Sequence, residues 1–227
     1  MELTSFDIRG VTVMEPITTL TDLMVSTVCF YAFGKLGKSE NSDNISIKLY
    51  RYFFLTMGLA TAFGGLIGHA FLHYLSFEWK LPGWIISMLS VALAERGAII
   101  HARPLLKKRI GDFFVTINII ELLAFIFLAM YKLKFIYVEI HAVYGLLVIL
   151  FSFELFVYKK TRDKGSRLAI WSVFFAFLAA FIHLIKFSVH KWFNYLDLSH
   201  VFMAVSSYIL YRGVISMNIY EKENHSS

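Results

Sequence analysis

The stretch YFFLTMGLATAFGGLIGHAFLHYL, residues 52–75, decides the fold. It contains no Asp, Glu, Lys or Arg. As a helix rising about 1.5 Å per residue it crosses the roughly 30 Å hydrocarbon core of a bilayer. Gly58, Gly64, Gly65 and Gly68 lie along it, and small residues let membrane helices approach closely. Its two ionisable residues, His69 and His73, are four apart, which on an α-helix puts both rings on one face, a turn apart. A metal-binding or charged side chain inside a lipid-spanning helix is costly unless the bundle receives it. Other spans must therefore meet these rings.

Working outward, six further apolar blocks of spanning length appear, at about 15–34, 82–101, 113–130, 135–157, 168–187 and 195–215. The composition agrees: 58% of the 227 residues are hydrophobic, 23 are Phe, and the mean hydropathy is +0.63. A soluble domain needs far more polar surface. The expected fold is all-α, a single seven-helix transmembrane domain over residues 1–227, with no soluble domain and no repeat. Glu15-Pro16 suits a helix start, and Trp84 an interfacial anchor. The first block opens with Thr18, Thr19, Thr21 and Asp22, which does not read as a cleaved signal peptide. The lone Cys29 allows no internal disulfide.

The formal charge of +6 sits in the short connections. That placement speaks for topology and against nucleic-acid binding. Fifteen Lys and Arg residues, among them Lys35, Arg51, Lys107, Lys159 and Lys222, fall on one side of a seven-span topology; six, among them Lys80 and Lys132, fall on the other. The richer side is expected to be cytoplasmic, which places the N-terminus outside and the C-terminus inside. A multi-pass protein of the plasma (cell) membrane, in contact with membrane lipids, is the expectation.

Topology then assigns depth. Asp22, His69, His73, Glu139, His141, His183, Asp197 and His200 all fall in the outer half, with His190 just beyond it. Buried ionisable groups in a membrane bundle mark a site by default. Plainer roles stay open: Asp22 and Asp197 also suit interhelical polar contacts, and His183 and His190 suit interfacial positions. Glu95, Arg96, His101, Glu121 and Glu154 lie apart from this layer and read as a separate packing or charge network. The outer layer suits a metal. Catalytic zinc takes three protein ligands and leaves a place for water. His73 and His200 come from different helices, with His69 or Asp197 as a further ligand. Asp197, three before His200, could instead orient it from behind. Asp22, Asp197 and His69 are the candidates for moving a proton. Opposed rings, His69 with His200 or His141 with His183, would also suit haem, and a line of His and Asp can pass protons.

Three blocks carry a family resemblance. Glu15 with ITTLTDLMVST, GHAFLHYL at residues 68–75, and LDLSHVFMAVSSYIL at residues 196–210 resemble the membrane hydrolase superfamily of the alkaline ceramidases and the progestin and adipoQ receptors. In that resemblance His73 takes the zinc-binding histidine place of the second span and His69 the serine place before it. His200 takes the second place of the final histidine pair, and Leu196 stands in the first. The resemblance implies a seven-span, N-outside bundle holding Zn2+ and hydrolysing a lipid amide. The altered histidine pair equally suits a receptor-like or lipid-binding bundle with a degenerate metal site, so whether the protein is an enzyme stays open.

Overall fold

The computed structural model describes residues 4–220. Lys222 of the charge count and the rest of the EKENHSS tail lie outside the described residues. Six helical segments are long and apolar enough to cross a membrane: Pro16–Leu36, Ile45–Ala70, Phe77–Leu105, Lys108–Lys132, Ile136–Thr161 and Lys164–Ile185. A seventh helix, Tyr195–Val214, has 20 residues but carries Asp197, His200 and Arg212 among several serines, so its composition alone does not place it with the six. Large side chains such as Leu123, Phe127 and Leu184 stay open to the surroundings, the last at 77%. Such patches on a water-facing surface would drive aggregation; against lipid they are at home. The chain is a multi-pass membrane protein.

We label the α-helices α1 (Pro16–Leu36), α2 (Ile45–Phe63), α3 (Leu81–Ala102), α4 (Lys108–Lys132), α5 (Ile136–Val143), α6 (Phe151–Thr161), α7 (Lys164–Ile185) and α8 (Tyr195–Val214). They pack as a ring: α1 touches α2, α2 touches α3, α3 touches α6, α6 touches α7, α7 touches α8, and α8 returns to α1. Helix α4 stands outside the ring against α3 and α5. Ring closure explains why the first and last helices, far apart in sequence, can share a site. Close approach helps: Ser26 donates to the Gly58 carbonyl at 2.9 Å, and Thr19 to the Gly65 carbonyl at 3.2 Å. A Cβ on Gly65 would stand 2.9 Å from the Asp22 Cβ.

Two features depart from the sequence expectation. The bundle is all-α as expected, but ahead of it Ser5–Ile8 and Val11–Met14 pair as a small antiparallel hairpin. Its turn uses Arg9 (φ 52°) and Gly10 (φ 84°), the positive-φ pair that suits a two-residue hairpin. The second departure lies inside the spans. Span two leaves α-helical winding at Gly64 and continues as a π-helix over Gly64–Ala70, then as a 3-10 turn over Leu72–Tyr74. Span five is interrupted in the same way, by a π-helix over Tyr144–Leu150 between α5 and α6. Single π turns inside α-helices are rare and gather at functional sites.

Candidate functional site

Ionisable side chains meet inside the bundle in three places. The first lies where α1 begins and the first π-helix ends. Glu15 caps α1 in the left-handed region, φ 43°, a strained backbone for a residue with a Cβ. Its amide donates to the Thr4 carbonyl at 2.7 Å, tying the hairpin to the helix. Its Oε2 lies 2.9 Å from His69 Nδ1. The other nitrogen of that ring, Nε2, faces Asp22 Oδ2 at 3.8 Å. From α8, His200 turns its Nε2 to Asp22 Oδ1 at 3.4 Å, while its Nδ1 sits 3.0 Å from Thr21 Oγ1. One carboxylate thus stands between two imidazoles whose far nitrogens are each held by a side chain. The rings are 6.4 Å apart, at 71°.

Of the residues expected in the outer layer, His69, His200 and Asp22 come together, and Glu15 joins them. Asp197 does something else: its Oδ2 accepts from the Asn194 amide at 2.6 Å while Asn194 Oδ1 accepts from Leu196, a reciprocal cap on α8. Its other oxygen is buried without a hydrogen bond. The pairing of His73 with His69 and His200 must be corrected. Because the chain winds as a π-helix and then turns at Phe71, a spacing of four no longer means one face. His73 is exposed, and its ring lies against Tyr74, centroids 3.9 Å apart. His183 instead pairs with Glu139 at 2.7 Å, and His190 Nδ1 accepts from the Trp192 amide.

The second meeting place is between α3, α4 and α5. Glu95, Glu121 and His141 each offer a ligand atom, all within 4.8 Å of one another, and among the described residues no other such group of three is found. His141 Nε2 lies 3.5 Å from Glu121 Oε1 and 4.0 Å from Glu95 Oε1. Glu95 and His141 are fully buried. This buried cluster is compatible with a latent or degenerate metal site, although two carboxylates and one imidazole are not the usual zinc set. The expectation of His141 in the outer layer changes accordingly. What the sequence offered for this group was only that three intramembrane ionisable residues needed partners.

The third is built around Glu154 of α6. Tyr50 donates to Oε1 at 2.8 Å and Ser166 to Oε2 at 2.7 Å. His101 Nδ1 lies 3.1 Å from Oε2, and its Nε2 lies 3.1 Å from the Asn218 carbonyl. Here the expectation of a packing network is met.

A family model described as a family of unknown function (DUF6962) matches residues 17–219. No curated protein and no solved structure matches the chain.

Proposed function

The chain thus belongs to a family of unknown function, DUF6962, and we propose that it is a zinc-dependent intramembrane hydrolase acting on a lipid amide. The observation that carries this reading is Asp22 set between the Nε2 atoms of His69 and His200, at 3.8 and 3.4 Å. The likeness of the first, second and last spans to the ceramidase superfamily supports it. On the charge distribution, the site faces away from the cytoplasm.

The donor chemistry fits zinc. Imidazoles are familiar ligands, and each of the two has its far nitrogen anchored, as ligand histidines normally do. His69 and His200 would hold the ion, with Asp22 beside it and His73 taking no part. Zinc supplies Lewis acidity, polarising a carbonyl and easing the deprotonation of water. The chain's own groups do the rest. A carboxylate only accepts, so Glu15 holds the proton of a neutral His69 on Nδ1 and leaves the Nε2 lone pair directed at Asp22. Asp22, with one oxygen toward each ring, is the carboxylate that would take the proton of an attacking water and return it to the leaving amine. Glu15, fixed by its strained cap, keeps the first ring from turning.

The test is turnover of ceramide and N-acylethanolamine by the purified protein. Turnover should vanish on chelation, return with zinc, and fall by at least about 100-fold in Asp22→Asn. Absence of turnover together with absence of zinc in the wild type would sink the reading. A non-catalytic lipid-binding role has one observation of its own: an apolar groove of about 480 Å³ lined by Leu147, Phe151, Trp171, Phe174 and Phe177 among others. Lipid bound without turnover would favour it.

A further inference from the structure

We propose that Glu95, Glu121 and His141 form a second, resident site for a divalent first-row transition cation, independent of Asp22, His69 and His200. Unsatisfied atoms in the first place argue for it. Glu95 Oε1, both carboxyl oxygens of Glu121 and both ring nitrogens of His141 are buried without a hydrogen bond. Natives rarely leave buried polar atoms orphaned, and a run of them in one spot calls for an occupant. His141 is fully buried and directs Nε2 at both carboxylates.

The separations suit an ion better than direct contact. At 3.5 and 4.0 Å the imidazole is beyond an ordinary hydrogen bond from either carboxylate. Two ligands on one tetrahedral ion at bond lengths near 2.1 Å sit about 3.4 Å apart. Charge points the same way. A dication cancels the two ligand carboxylates, which lowers the cost of holding them in a membrane interior, and the Arg96 guanidinium stands one side chain further out, on Asn118. The imidazole argues for a transition metal over Mg2+ or Ca2+, which prefer oxygen alone.

The surroundings are shaped for it. Asn118 Nδ2 donates to Glu95 Oε2 at 3.2 Å, and Asn118 Oδ1 accepts from Arg96 Nε at 2.9 Å. One Glu95 oxygen is therefore fixed from behind while the other is left facing His141, the outer support expected of a ligand carboxylate. Gly145, in the first turn of the second π-helix, makes the room: a Cβ there would overlap Glu95 Oε1.

Co2+ titrated into EDTA-stripped, detergent-purified full-length protein is the test, read by its visible d–d bands and by metal content. Wild type should bind two Co2+, of which one survives in the His69→Ala/His200→Ala double variant; a wild type that binds only the surviving ion would count against the proposed zinc site and not against this one. Glu121→Gln and His141→Ala should lose that ion, and Asn118→Leu should bind about 10- to 100-fold more weakly. Glu154→Gln, altered in the third cluster, should keep it. Should a ligand variant fail to fold, Gly145→Ala replaces it, with weakened binding and an intact ligand set. A wild type whose bound Co2+ disappears entirely with His69 and His200, or a folded Glu121→Gln that binds as wild type does, would overturn the proposal; the cluster would then hold only a shared proton.

Discussion

Glu95 and Glu154 are both fully buried glutamates on membrane-spanning helices, yet their surroundings are opposites. Glu154 receives Tyr50, Ser166 and His101, and the histidine is itself anchored at its far side. Glu95 has one oxygen on Asn118 and the other unmatched, facing a histidine and a second glutamate that are unmatched too. Burial is therefore no guide to role. A closed network ties α2, α3, α6 and α7 together and has no spare valence for anything else. An open one contributes little to folding by itself and keeps its valences for a guest.

Stability measurements can break that contrast. Glu154→Leu strips the acceptor from three buried groups and should cost about 3–5 kcal/mol in detergent unfolding, or prevent folding. Glu121→Leu, measured in metal-stripped protein, should be close to neutral, since neither Glu121 oxygen accepts a hydrogen bond that the change would strand. Equal losses in the two variants would erase the distinction. Gly145→Ala should cost about 1–3 kcal/mol by crowding Glu95 and Val91, whereas Gly68→Ala, with nothing within 4 Å, should be close to neutral. Tyr50→Phe should cost about 1 kcal/mol for one lost hydrogen bond. A larger loss there would mean that the Glu154 network is more cooperative than its separate bonds.

The membrane class could be read from the sequence because it rests on long apolar runs, which need no tertiary information. Short connections, which force successive helices to alternate direction, also put Asp22, His69, His73, Asp197 and His200 forward as candidates for one level, but do not say which of them face one another. His73 could not be placed, because α-helical spacing was assumed through Gly64–Ala70, where the winding changes. Nor could the Glu95, Glu121 and His141 triad: which of several intramembrane ionisable residues face one another depends on helix rotation and on α4 standing outside the ring, and no short motif encodes either. The hairpin at Ser5–Met14 is not legible in the sequence because its strands are only four residues long and none of their residues is buried.

The π-helical segment Gly64–Ala70 sets the aim of His69. A π turn holds one more residue than an α turn, so it is equivalent to a single-residue insertion absorbed within an otherwise regular span. Were the same residues wound as a plain α-helix, everything towards the end of Gly64–Ala70 and beyond it would swing by about 100°. His69 would leave Asp22 while the span kept its length and apolar character almost unchanged. Hydropathy, which judges membrane proteins by content, would register nothing, although the imidazole would have turned to another side of the helix.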